Sequence, residues 1–179
     1  MCRRHVALAL FTLALGCSPN EPTFRVAASA RTGEAESPAA PTFAAAASPS
    51  TEGWNRAQID WVTHAEALRR AQAEHRPICV VMHADWCGHC HNYMHVFEDP
   101  RIVERAHRMV MVLLDVDAEP EVASLYAGDG GYVPRTYFVA PTGSIMNVDA
   151  HRPRFQHFFH ESDPTSLLAA MDEALAQSP

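Results

Sequence analysis

The sequence predicts an α/β domain, a central mixed β-sheet flanked by helices. Three observations predict it. Two apolar, β-branched runs, "ICVVMHA" at 78–84 and "MVMVLLDVD" at 109–117, have the length and character of strands buried on both faces. Segments with helical capping signals lie between them, as parallel strands joined by crossovers require. A further pair of strand-like runs, "RTYFVA" and "SIMNV", is split only by "PTG", which fits an antiparallel hairpin.

Residues 1–16 read as a targeting segment. Arg3 and Arg4 form a basic start, and "VALALFTLALG", Val6 to Gly16, is an apolar run of eleven residues. A mature membrane span takes about 20 residues, so this run is a signal peptide. It ends at Ala14-Leu15-Gly16-Cys17. A small residue directly before a cysteine resembles the lipobox of bacterial lipoproteins, although Ala14 stands where leucine is usual. The resemblance implies cleavage before Cys17 and lipidation of Cys17, and Ser18 beside it implies outer-membrane sorting. The alternative is an ordinary secretory signal cut nearby. Residues 17–53 are dominated by Ala, Pro, Ser, Thr and Glu. Such a stretch buries too little apolar surface to offset its ordering entropy, so it reads as a lipid-anchored disordered linker. About 35 residues of coil reach roughly 30–35 Å.

The folded domain is expected over 54–179. "IDWV" at 59–62 is a candidate short strand. Thr63 and Glu66 have capping-box spacing, and Ala65, Leu68, Ala71 and Gln72 carry a helix to about His75, before Pro77. The 78–84 strand follows, then a turn at Asp85–Cys87 and a helix from about Gly88 to Phe97. Asp99-Pro100 is an N-cap with proline at the first helical position, opening a helix to about His107. After the 109–117 strand come a short helix at 119–126, the loop "GDGGYVP", the hairpin, and a final helix behind Asp163-Pro164. Leu167, Leu168, Met171, Ala174 and Leu175 form its apolar face.

Composition narrows the function classes. The chain has 179 residues, 47% of them hydrophobic, and a net charge of -7. That suits one domain plus extensions, and the absence of a basic block removes the case for nucleic acid. Of five cysteines, Cys2 leaves with the signal and Cys17 carries lipid, so Cys79, Cys87 and Cys90 remain in the domain. A close pair plus one leftover is no disulfide scaffold. The pair reads as chemical and Cys79 as a small buried hydrophobe.

Cys87-Gly88-His89-Cys90 suits dithiol chemistry for a physical reason. Cys87 falls where a strand ends and a helix begins, where backbone N–H groups and the helix dipole stabilise a thiolate. That thiolate attacks a disulfide, and Cys90, one helical turn on, resolves the mixed disulfide into Cys87–Cys90. A protonated His89 favours the Cys87 thiolate, hence the reduced form and a more oxidising couple. Trp86 offers an apolar platform beside the sulfur. Val133-Pro134 lies 44 residues beyond Cys90. A cis bond there would turn the backbone toward the dithiol and let Val133 pair with an incoming peptide.

"DWCGHC" resembles the active-site motif of thioredoxin-fold proteins, with the CGHC of protein disulfide isomerase. Between about Trp54 and Ala176 the chain is most similar to the small endoplasmic-reticulum thioredoxin-like and anterior-gradient group. The similarity rests on "RPICVVMHADWCGHC", "FEDPRIVERAHRMVMVLLDVDAEP" and above all "GDGGYVPRTYFVAPTGSI". It implies a thioredoxin-like fold, Cys87 as nucleophile, Cys90 as resolver and Pro134 as a cis-proline, while Gly88 and His89, the residues between the cysteines, tune the potential of the pair. It also implies protein substrates with thiols or disulfides and a separate redox partner. The leader implies a bacterial exported relative, so those substrates are exported proteins and membrane contact is through the anchor only. One departure stands out. The strand position six before Cys87, acidic in many relatives, is Val81, and a lysine often found on the next strand is replaced by Leu113. His83, on the Val81 face, is either a substitute acid–base group or a buried polar strand end.

Two rival chemistries use the same string. Cys87-Gly88-His89-Cys90-His91 has c-type haem spacing, with Met94, Met109 or Met111 as distal candidates. His91 and His95 share a helix face and, with the thiolates and His83 or His89, resemble a metal set. A non-catalytic interaction role is the third alternative, with "HRPRFQHFFH" at 151–160 as its candidate surface; that segment otherwise reads as a loop with its histidines outward. The preferred reading needs neither cofactor nor metal: a thiol–disulfide oxidoreductase of the cell envelope.

Overall fold

The structure, a computed structural model, describes residues 53–178. The signal peptide, Cys17 and nearly all of the linker lie outside the described residues. The order is β1 (Trp61–Val62), α1 (His64–Glu74), β2 (Ile78–His83), α2 (Gly88–Tyr93), a 3₁₀ segment (Met94–Glu98), α3 (Pro100–Ala106), β3 (Val110–Asp115), α4 (Pro120–Ser124), β4 (Arg135–Val139) and α5 (Thr165–Gln177).

The four strands form one sheet in the order β1-β3-β2-β4. β3 is parallel to both β1 and β2, and β4 is antiparallel to β2. Every residue of β2, β3 and β4 is buried, which is why these strands read as continuous apolar runs. One face carries Ile78, Val80, Met82, Val112 and Leu114 against Ala67 and Ala71 of α1 and Ala123 of α4. The other carries Cys79, Val81, Met111, Leu113 and Phe138 against α2, α3 and α5. This second face ends at Cys87 and Cys90.

Local signals account for the helix boundaries. The Thr63 hydroxyl accepts from the Glu66 N–H at 3.3 Å, and His75 closes α1 in the left-handed region at φ 54°. The stripe on α1 differs from the expected one: His64, Ala67 and Ala71 are buried, while Leu68 is exposed. Small residues there let α1 lie close on the sheet. The Asp99 carboxylate accepts from the Arg101 N–H at 2.8 Å and caps α3. Because Asp99 precedes Pro100 it is held extended, at ψ 124°, so the helix begun at Gly88 tightens into a 3₁₀ segment instead of running smoothly to Phe97.

The expected second strand of the hairpin, "SIMNV", does not form as a strand. A single bridge joins Val139 to Ile145. The turn closes through Gly143 at φ 89°, and the Met146 N–H reaches the Phe138 carbonyl at 2.8 Å. Met146 and Val148 then bury their side chains in the core, and the Thr136 N–H is taken by the His157 carbonyl at 2.9 Å. The 151–160 segment therefore lies along part of the β4 edge. Its histidines are not all outward: His157 stacks on Tyr137 with ring centres 3.8 Å apart. Phe159 is buried and Phe155 exposed. Among the described residues no helix is long and apolar enough to cross a membrane.

Candidate active site

β2 delivers the chain to Cys87, and α2 begins one residue later. Cys87 sits in the N-cap position of α2 with an extended backbone. Its sulfur accepts the Cys90 N–H at 3.2 Å, so a backbone donor already points at the atom where negative charge develops. The thiol in turn donates to the Val133 carbonyl at 3.6 Å, and the Val133–Pro134 bond is cis. Cys87 is 4% and Cys90 2% exposed, so the Cys87 sulfur is more covered than an exposed platform beside Trp86 suggests. Both thiols are free, as is Cys79.

The two sulfurs sit in different environments. Cys90 is the deeper one. Burial pushes its thiol up, and its neighbour Cys87 adds to the shift. Its proton is therefore hard to remove. Cys79, on the buried face of β2, is pushed up by burial alone, which disfavours its thiolate. Val81 and Leu113 are paired across β2 and β3 and wholly apolar, so no carboxylate or amine lies at that place to take the Cys90 proton.

Trp86 is 71% exposed, and its indole N–H donates to the Asp117 carboxylate at 2.7 Å. That bond fixes the ring beside the motif. The His89 Nδ1 is 2.7 Å from the Glu161 carboxylate, and its ring lies edge-on to Phe158. A Cβ on Gly88 would meet no atom within 4 Å, so this glycine leaves open space at the start of α2 and is not demanded by packing. His91 is exposed, and His95 is 3.2 Å from Glu98. Among the described residues no group of three or more His, Cys, Asp or Glu side chains is arranged to hold a metal ion.

Sequence reasoning missed the knot that holds the Val133–Pro134 loop. Arg135 is 3% exposed; it donates to the Tyr126 carbonyl at 2.9 Å and to the Gly130 carbonyl, and lies 3.9 Å from Asp129. The Asp129 carboxylate accepts from the Tyr132 and Tyr137 hydroxyls. Burial alone would raise the Asp129 carboxyl, but these two bonds, with Arg135 and His157 nearby, hold it below the usual carboxylate range. The signal in the sequence was a charged pair flanking two glycines and a tyrosine. Also missed was the link between α2 and β4, where the Tyr93 and Thr136 hydroxyls meet at 2.9 Å in the core. Trp54, read only as a domain boundary, packs on Trp61, His83, Tyr93 and Phe97 beneath the motif.

Comparison with known proteins agrees with this architecture. A family model described as thioredoxin-like matches residues 60–141. The anterior gradient protein 2 homolog of Mus musculus is 30% identical over 118 residues, 66% of this chain and 66% of its own length. The anterior gradient protein 3 of Xenopus tropicalis is 25% identical over 127 residues, 70% of this chain and 76% of its own length. The chain thus spans about two thirds of the mouse relative. A thioredoxin from Thermus thermophilus superposes with a TM-score of 0.52 at 24% identity, covering 65% of this chain and 86% of that one. That last likeness concerns the fold. Residues 60–141 of this chain belong to the thioredoxin-like family, and the chain is similar in sequence to the anterior gradient proteins.

Proposed function

We propose that this chain is a thiol–disulfide oxidoreductase that acts through Cys87 and Cys90 on cysteines of exported proteins. The observation that carries the reading is the arrangement of Cys87. Its sulfur stands at a strand–helix junction, accepts a backbone N–H, and lies against the carbonyl of Val133. The thioredoxin-like family supports the reaction class, and the leader at 1–17 supports an exported substrate and a lipid anchor at Cys17.

In the reducing direction the Cys87 thiolate attacks one sulfur of a substrate disulfide, and the other leaves as a thiolate. Ionisation of Cys87 also frees the Val133 carbonyl, which can then accept an N–H from the substrate backbone. Beside it runs a groove of 320 Å³ lined by His89, Tyr132, Val133, Arg152, Phe155 and Phe158, suited to apolar side chains that flank a substrate cysteine. Cys90 then attacks Cys87, closes the Cys87–Cys90 disulfide and releases the second substrate thiolate. Oxidation of a substrate dithiol is the same sequence reversed. The strand–helix junction at Cys87 and its contact with the Val133 carbonyl favour these roles over thioether bonds to a haem with His91 as its ligand.

CGHC favours the oxidising and isomerising direction, near the roughly −180 mV couple of disulfide isomerase rather than the roughly −270 mV of thioredoxin. Equilibration with glutathione buffers tests this; a couple below that of thioredoxin would sink the oxidising assignment. His89→Ala is expected to make the couple more reducing by an amount on the order of tens of millivolts, because the imidazole between the two cysteines that would tune the Cys87 thiolate is gone. An unchanged potential in that variant would remove His89 from the tuning role.

A further inference from the structure

Resolution needs a base for Cys90, and the strand positions beside it, Val81 and Leu113, offer none. The second half of that problem lies at the end of β2. His83 is 2% exposed, and its Nε2 is buried without a hydrogen-bond partner among the described residues. An unsatisfied buried ring nitrogen costs free energy and calls for an explanation. The explanation lies in what it shares with Cys90. Both line one cavity of 210 Å³, together with Trp54, Ala84, Asp85, His91 and Met94. Liquid water takes about 30 Å³ per molecule, so this space has room for bridging water. Asp85 and His91, both exposed, connect the cavity to solvent.

We propose that His83 is the proton acceptor for Cys90 in the resolving step, a role that rests on the oxidoreductase reading above. With a substrate sulfur bonded to Cys87, the Cys90 S–H gives its proton through cavity water to Nε2 of His83. The Cys90 thiolate attacks the Cys87 sulfur, the Cys87–Cys90 bond forms, and the bond to the substrate sulfur breaks. The electron pair leaves on the substrate thiolate, and His83 passes its proton outward past Asp85 and His91. In reverse, protonated His83 returns the proton to Cys90 as it leaves.

The surroundings of His83 suit a base of this kind. Burial lowers its basicity, Asp115 from β3 and Asp85 raise it, and Arg56 and His91 lower it. The net shift is downward, so the ring is neutral and able to accept at neutral pH. Asp115 pairs with His83 across the two strands and accepts the N–H groups of Asp117 and Ala118. The Trp54 ring lies 5.3 Å from the imidazole and holds it in place. Glu161 also acts on Cys90, but its carboxylate is bonded to His89 on the outer side of the motif.

The test separates the two chemical steps in the reduced full-length protein. Oxidised glutathione first reacts with Cys87, and Cys90 then releases the second glutathione in a unimolecular phase. His83→Gln is expected to slow the release phase about 100-fold at pH 7, with the gap closing as hydroxide takes over at high pH. The first phase should stay within about twofold of wild type, since His83 acts only on Cys90. A release phase in His83→Gln that follows wild type at every pH overturns the proposal, as does an equal loss in both phases. If the wild type shows no first phase at all, the oxidoreductase reading itself fails. A second measurement needs no variant. The release rate of the wild type should fall tenfold per pH unit below the midpoint at which the His83 ring titrates by nitrogen NMR. A release rate that runs flat through that midpoint overturns the assignment.

Discussion

Replacing Cys87 with serine is expected to lower the rate of thiol–disulfide exchange at least about 1,000-fold, to the uncatalysed background. A serine hydroxyl keeps the hydrogen bonds and nearly the volume but supplies no thiolate. The expected contrast is Cys79→Ala. Cys79 is wholly buried in β2, and burial keeps its thiol protonated, so exchange should persist while stability falls by about 1 kcal/mol. Stopped-flow reduction of a fluorescent disulfide by each variant checks both. Exchange that survives in Cys87→Ser would move the nucleophile elsewhere.

The largest effect on stability is expected at the knot beneath the Val133–Pro134 loop. Arg135→Met removes a buried cation that serves two carbonyls and leaves Asp129 without its nearest positive partner. Breaking such an arrangement costs about 3 kcal/mol, or a fall in Tm of about 10 °C. The sign of the pH dependence follows from Asp129. Its folded-state carboxyl titrates below the ordinary range, so its contribution is complete above the unfolded value near about pH 4 and is lost as pH falls through the lowered folded value. Asp129→Asn should be less stable than wild type at neutral pH and should lose less on acidification below about pH 4. Thermal melts from pH 7 to pH 2 measure this; parallel curves for the two proteins would show that Asp129 does not carry the acid sensitivity.

The main strands were legible because β2 and β3 are buried on both faces, which writes them as unbroken apolar runs. The dithiol was legible because "ADWCGHC" sets a turn and a helix start directly behind such a run. Pro134 was legible only in combination, since a proline before a strand has many uses. The second strand of the hairpin was misread because "SIMNV" is an apolar-rich run directly behind a "PTG" turn, yet Met146 and Val148 serve the core while His157 covers part of the β4 edge. That edge contact joins residues 21 apart through a segment with left-handed turns at His151 and Phe155, and no local pattern announces it. His83 was visible as a polar residue in an apolar strand. Its shared cavity with Cys90 depends on Trp54 folding back under the motif, a contact across 29 residues that periodicity does not carry.

The oxidoreductase assignment is tested most directly by trapping. Cys90→Ala protein, mixed with an unfolded secreted protein that carries disulfides, cannot resolve the adduct it forms. The account predicts a covalent, dithiothreitol-sensitive complex whose peptide map joins a substrate cysteine to Cys87. A Cys90→Ala protein that forms no such complex, or one joined through Cys79, would contradict it.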